Sequence, residues 1–263
     1  MAVLPEVGLF RSEDLADVLS VIDDVHVPYA GATELVPAMR LGVRRPEVLV
    51  DLKRVDALRG VSVDPQARTV RIGAATTHQA LAGSPEVREH VPSLASAASR
   101  VGNARVRASG TVGGNLCFAE PRSDLSVVLT ALGAQVEIAT ALEVTSIPVA
   151  ELILGAYETC LTPDQLMLGV TVPFEPGGFS YWKLQSYERP TLGIATVPVD
   201  GGVMIVVGAA TERPERATIA TGDLVGLEAF LDGLELSDDL SGSPAYKRAI
   251  LRSRLRAPVE GNQ

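Results

Sequence analysis

The sequence predicts an α+β chain: two successive α/β units over residues 1–58 and 59–176, then a C-terminal domain of antiparallel sheet plus helices over 177–263. Three observations predict it. As far as Pro173, apolar runs of strand length alternate with segments whose apolar residues recur at helical spacing. After the loop Glu175-Pro176-Gly177-Gly178, strand-length runs follow one another through short turns such as Asp200-Gly201-Gly202, the mark of an antiparallel meander. Two helical patterns then close the chain, an order that belongs to α+β folds.

Along the chain, Ser12 to Ile22 places Leu15, Val18, Leu19 and Ile22 on one helical face, with Ser12 as N-cap and acids in the first turn. Val25 to Ala30 is a β-prone run that passes through the small residues Ala30-Gly31-Ala32-Thr33 into a helix reaching Leu41. Val48 to Leu52 is an apolar run of strand length, as for a strand covered on both faces. Asp64 to Ala75 reads as a turn followed by an alternating strand, and Thr76 or Thr77 caps a helix toward Gly83. Pro85 opens another helix, and Ser93 to Val101 is a small-residue helix suited to close packing. A glycine cluster at Gly110 to Asn115 is followed by a helix from Leu125 to Leu132 and strands at Gln135 to Ile138 and Met167 to Pro173. In the C-terminal part, strands are expected at Phe179 to Leu184, Ile194 to Val199, Val203 to Ala209 and Thr218 to Thr221, and helices at Leu224 to Leu231 and Ala245 to Leu255.

Composition excludes several classes. Of 263 residues, 46% are hydrophobic, 21% charged and 4% aromatic, a globular balance rather than that of a disordered tail or a fibre. A formal net charge of −9 lacks the electropositive footprint of a nucleic-acid binder. Cys117 and Cys160 are the only cysteines, too few for an iron-sulfur or zinc-ribbon site, and read as two buried thiols. No run approaches the roughly 18 apolar residues of a membrane span, and the N-terminus lacks a signal-peptide pattern, so the expectation is a cytoplasmic protein without a membrane span.

Standard catalytic signatures are missing. The sequence has no GxGxxG turn, no GxxxxGK[ST] and no GxSxG, and His26, His78 and His90 lack metal-ligand spacing, so each histidine reads as structural or exposed. Two small-residue turns remain, Ala30-Gly31-Ala32-Thr33-Glu34 and Thr111-Val112-Gly113-Gly114-Asn115, in different α/β units. Freed of Cβ bulk, such turns expose consecutive backbone N–H groups that cradle anions, and the two facing one another would clamp a pyrophosphate. Either turn alone also reads as an ordinary glycine turn.

Taken in order, AGATEL at 30–35, RPEVLVDLKRVDAL at 45–58, IGAATTH at 72–78 and VGNARVRASGTVGGNLCFAEPRSDL at 101–125 closely resemble the FAD-binding subunit of the molybdenum hydroxylases, the family of the carbon monoxide dehydrogenase medium chain and the xanthine dehydrogenase flavin domain. The likeness continues through LTPDQLMLGVTVP at 161–173, FSYWKLQSYER at 179–189 and SGSPAYKRAILRSRLRAP at 241–258. It implies the PCMH-type flavin fold, with two FAD-binding subdomains and a C-terminal domain. It also implies that Ala30, Gly31, Ala32, Thr33, Glu34 and Leu35, together with Thr111, Val112, Gly113, Gly114 and Asn115, hold the FAD pyrophosphate and ribityl chain. Val101 matches an apolar position over the isoalloxazine ring, Asp124 an acid at the cofactor's polyol, Lys183 a lysine near the flavin, and Met167 an apolar or backbone contact. From the residues alone, Val101 also reads as core, Asp124 as an N-cap of the helix from Leu125, and Lys183 as an exposed strand lysine.

Two departures stand out. Ala32 occupies a position where many members have glycine, and Pro190-Thr191-Leu192-Gly193 lacks an acid that many relatives carry before the next strand. In the family the work is divided among chains, which makes this one the flavin module. A molybdopterin-binding large subunit and a [2Fe-2S] small subunit are its implied partners, and NAD, oxygen or a quinone the implied electron acceptor. The alternatives are a free-standing FAD-dependent oxidase or dehydrogenase acting on a small organic substrate, and a flavin-free assembly subunit. In the last helix Arg248, Arg252 and Arg256 share a face, which reads either as a solvated basic face or as a rim for an acidic patch on a partner.

Overall fold

Strands β1 (Gly8–Arg11), β2 (His26–Tyr29) and β3 (Val48–Asp51) form a parallel sheet in the order β1-β3-β2, crossed over by helices α1 (Leu15–Val21) and α2 (Leu35–Arg40). The structure is a computed structural model that describes residues 6–185 and 189–261; the Ser186-Tyr187-Glu188 part of the resemblance lies outside them. β3 is apolar because it is the middle strand, paired on both sides. The helix cap is one position pair later than expected: Asp14 accepts the Ala16 N–H, while Ser12 Oγ accepts the Asp14 N–H and donates to Asp17. Val18 of α1 and Ile22 just after it pack with Val50, Leu52 and Leu58, and with Leu166 and Leu168 from the next unit, so the two units share apolar surface.

The second unit runs β4 (Val61–Asp64), β5 (Thr69–Gly73), α3 (His78–Gly83), α4 (Pro85–His90), α5 (Pro92–Ser99), α6 (Ala104–Ser109), α7 (Val112–Phe118), α8 (Asp124–Ala131), β6 (Gln135–Ala139), β7 (Val144–Pro148), α9 (Val149–Leu152), β8 (Ile153–Gly155), β9 (Glu158–Thr159) and β10 (Leu166–Pro173). Its main sheet is antiparallel in the order β4-β5-β10-β6-β7, and β8 pairs with β9 separately. Helices cover one face with Leu81, Leu94, Leu116, Leu125 and Leu129 against Val70, Ile72, Val136 and Val170. On the opposite side Arg71 grips Glu137 bidentately across β10, at 2.7–3.0 Å. The glycine cluster expected as a turn is instead the first turn of α7, capped by Thr111, whose side chain accepts the Gly114 N–H.

Strands β11 (Ser180–Leu184), β12 (Leu192–Val199), β13 (Gly202–Gly208) and β14 (Glu215–Ala220) form the expected meander. Residues alternate between its faces. Leu192, Ile194, Ile205 and Val207 meet α10 (Leu224–Gly233) and α11 (Pro244–Glu260) through Leu227, Leu231, Leu251 and Leu255. Ala195, Val197 and Val206 face the other way, against Val127 and Ala131 of α8. All eight α8 residues are buried, because the helix lies between the second unit's core and the meander. Gly193 and Gly208, paired across β12 and β13, leave room for Val127: a Cβ on Gly208 would stand 2.5 Å from its Cγ2.

The basic face of the last helix, open to reading as a solvated face or as a rim for a partner, finds its acceptors within this chain. Arg252 pairs bidentately with Glu228 of α10, Arg248 donates to the Leu231 and Leu234 carbonyls at the C-terminal end of α10, and Arg256 pairs with Glu260. Lys247 is fully buried, its Nζ held by Ser237 and by Asp239 at 2.9 Å. Arg248 and Arg252 join α11 to α10, and Lys247 joins it to the segment that follows α10. Among the described residues no helix is long and apolar enough to cross a membrane.

Candidate functional site

A cleft of about 590 Å³ opens between the first sheet and the second unit, within the range of small-molecule and cofactor sites. Ala30, Gly31, Ala32, Thr33, Glu34 and Leu35 line one wall, and Thr111, Gly113, Gly114 and Asn115 line another, with Val101 and Met167 also present. Val112 is absent from the wall; its side chain is buried among Leu116 and its neighbours. The two turns meet directly. Gly31 lies so close to Ser109 O and Gly110 Cα that a Cβ there would overlap both, so glycine is required for this approach.

The turns nevertheless offer different chemistry. In the first, the backbone N–H groups of Gly31, Ala32, Thr33 and Glu34 donate to no acceptor among the described residues, and all four residues face the cleft. Ala32 holds φ +55°, a left-handed conformation that costs a residue with a Cβ about 1–2 kcal/mol, which is why glycine suits this position. In the second turn the expected row of free N–H groups is missing. Val112 N–H donates to Thr76 O, Gly113 N–H to Ala74 O, Gly114 N–H to Thr111 Oγ1 and Asn115 N–H to Thr111 O. What this turn contributes is closeness: Gly113 packs on Ala74, and Gly114 is exposed to the cleft.

Asp124 lines an adjoining pocket of about 110 Å³ that shares Glu34, Val101 and Asn115 with the cleft. Ser123, not Asp124, caps α8. The Asp124 carboxylate instead accepts from Lys183 Nζ at 2.8 Å and from the Tyr181 hydroxyl at 2.5 Å. Lys183 is thus no exposed strand lysine; the side chains of the pair are 3% and 4% accessible. Burial, then the neighbouring Asp124 charge, hold the Tyr181 phenol far above its ordinary range, so it donates as a neutral hydroxyl. Beside them, Arg189 pairs with Glu34 at 2.8 Å and with Glu120, which also accepts from Tyr157 at 2.9 Å. This network ties the C-terminal domain to the first turn.

Three features of the cleft escaped the sequence reading. Arg44 and Arg45 also line it, a basic doublet after α2 that was legible but not singled out. Cys117 also lines it, and both cysteines carry exposed surface rather than being buried residues, although the surroundings of the Cys117 sulfur push its thiol pKa up to about 12 by burial. His78, set aside as structural, lines the cleft while only 3% exposed. Burial, and secondarily the Arg107 charge, lower its pKa from 6.5 to about 4. The folded chain therefore binds fewer protons here than the unfolded chain between those values. Stability from this group is present above pH 6.5 and is lost as pH falls toward 4, by up to about 3 kcal/mol. Urea midpoints across this range should fall more steeply for the wild type than for His78→Phe; parallel slopes would contradict the assignment.

A profile of the family described as "FAD binding domain in molybdopterin dehydrogenase" matches residues 5–175. The chain belongs to that family. The carbon monoxide dehydrogenase medium chain of Hydrogenophaga pseudoflava is 34% identical over 241 residues, covering 84% of this chain and 83% of the relative. Subunit alpha of the 6-hydroxypseudooxynicotine dehydrogenase complex of Paenarthrobacter nicotinovorans is 35% identical over 252 residues, covering 88% and 84%. Among solved structures, a carbon monoxide dehydrogenase from Hydrogenophaga pseudoflava matches with a TM-score of 0.87 at 25% identity, over 98% of this chain and 97% of that one. The protein is an FAD-binding domain of the oxidoreductase type, and its α+β architecture is that of this family. The residues fit the cofactor: four neighbouring unpaired N–H groups form an anion cradle, and the Gly31 approach and the bare Gly114 leave the cleft open beside it.

Proposed function

We propose that this chain is the flavin-bearing medium subunit of a molybdenum hydroxylase-type dehydrogenase, receiving electrons from [2Fe-2S] clusters on a small partner subunit and passing them to NAD, oxygen or a quinone. A molybdopterin-binding large subunit completes the complex, which works in the cytoplasm. The observation that carries the reading is the cradle of unpaired N–H groups at Gly31 to Glu34, set in a cleft of cofactor size. In this reading residues 1–58 and 59–176 are the two FAD-binding subdomains, and 177–263 the domain that closes over them.

Bound FAD supplies the means to take up electrons singly and release them in pairs. The chain's own residues position it. The Gly31 to Glu34 amides hold the diphosphate, with Ala30 and Leu35 framing them. Thr111 adds a hydroxyl, and Asn115 adds its side-chain amide, whose oxygen accepts from Ser123 at 2.7 Å. Gly113 and Gly114 let the cofactor approach α7, Val112 anchors that helix from below, and Val101 and Met167 supply apolar contact. Lys183 sets the position of Asp124 at the edge of the adjoining pocket, where the carboxylate would meet the cofactor's polyol.

The test is direct. Acid-released cofactor is expected to comigrate with FAD and not FMN, because a row of free amides in a cleft also lined by Arg44 and Arg45 suits a diphosphate. The protein is expected to copurify with a molybdenum chain and an iron-sulfur chain. Recovery of FMN alone would overturn the cradle, and a flavin-loaded protein free of both partners and of molybdenum and iron would favour a free-standing flavoenzyme.

A further inference from the structure

We propose that His78 is a neutral hydrogen-bond donor to the bound cofactor, its Nε2–H directed from the floor of the cleft at the diphosphate and ribityl oxygens beside Thr111. The inference rests on the FAD reading of the cleft. Its backbone fixes where the ring sits: His78 N–H donates to Gly110 O at 2.9 Å, and Thr77 bridges Thr111, so α3 begins against the second turn. The Cδ2–Nε2 edge is the one that meets Gly110, itself on the cleft wall, since a Cβ at Gly110 would stand 3.1 and 3.3 Å from those atoms. The opposite nitrogen is sealed: Nδ1 is buried with no partner among the described residues.

That asymmetry decides the tautomer. A neutral imidazole carries one proton, and leaving a buried N–H unpaired is rarer and costlier than leaving a lone pair unpaired. The proton therefore sits on Nε2, and Nδ1 keeps its lone pair. A second proton would place an orphaned N–H at Nδ1 and a cation near Arg107, and the lowering of the pKa to about 4 agrees with its exclusion at neutral pH. A neutral donor suits the oxygens of a diphosphate or of a sugar alcohol chain, and nothing about the position asks it to exchange protons.

Two measurements on the purified flavoprotein test the inference. Nitrogen-15 NMR of the histidines should report His78 as the Nε2–H tautomer; a protonated Nδ1 would overturn the proposal. Dilution, with release followed by the rise in FAD fluorescence, should show His78→Phe and His78→Asn weakening retention about tenfold, the equivalent of about 1.4 kcal/mol and the worth of one hydrogen bond. His78→Gln, whose amide reaches the Nε2 position, should stay near the wild type. Equal retention in all four proteins, or a loss in His78→Gln as large as in His78→Asn, would overturn it. A wild type that retains no FAD at all would instead count against the reading of the cleft itself.

Discussion

Replacing Gly114 with valine is expected to reduce FAD retention at least a hundredfold while leaving the chain folded. Gly114 lies in the first turn of α7 with its face open to the cleft, and a Cβ there meets only Thr111 Oγ1, at 3.0 Å. Valine's branches, stiff about χ1, would stand where the cofactor approaches the helix, while helix propensity itself favours valine slightly over glycine. Gly113→Val makes a poor test, since its Cβ would come within 2.7 Å of Ala74 Cβ and 2.9 Å of Ala74 O and force the helix off the second sheet. The ratio of flavin to protein absorbance, read beside a thermal melt, checks the result. Full flavin occupancy in a folded Gly114→Val protein would remove α7 from the cofactor site.

A large loss of stability is expected from Lys183→Met. The side chain is nearly isosteric, so packing changes little, but the Asp124 carboxylate is left buried with only Tyr181 as a donor. Removing one partner of a buried ion pair costs about 3–5 kcal/mol, whereas replacing both with apolar groups is often close to neutral. The double variant Lys183→Met, Asp124→Leu should therefore recover most of what the single variant loses. Urea unfolding of the three proteins measures this. A single variant within about 0.5 kcal/mol of wild type would mean that water, and not Lys183, compensates the carboxylate.

The strand and helix pattern was legible because each element carries its own periodicity: Val48 to Asp51, Leu166 to Pro173 and the alternating residues of β12 and β13 say which faces are covered. The strand β1 and the helix α6 were not, since GLFR lacks the unbroken apolar run of β3 and ARVRAS carries a single large apolar residue. At the site, small residues marked both turns correctly as points of close approach. Which turn keeps its N–H groups free was not visible, because that depends on the carbonyls opposite: Ala74 and Thr76 take up two of those of α7, and no acceptor among the described residues takes up those of Gly31 to Glu34. The same limit hid Asp124 and Lys183, which lie 59 positions apart and become a pair only when β11 crosses α8. It also hid the partners of Arg248 and Arg252 within the chain, since an unbroken basic stripe looks identical whether its acceptors lie on a partner or on α10.

Because α8 contributes Leu125 and Leu129 to one core and Val127 and Ala131 to another, parting the C-terminal sheet from this helix would bare the apolar side chains of Val127, Ala131, Ala195, Val197 and Val206 to water. Covered on both sides, its amides are expected to be among the slowest in the chain to exchange hydrogen for deuterium, and the cost of baring that face couples the sheet's detachment to the stability of the helix. The meander that looks from the chain order like an appended module is, in thermodynamic terms, one side of the wall behind Asp124.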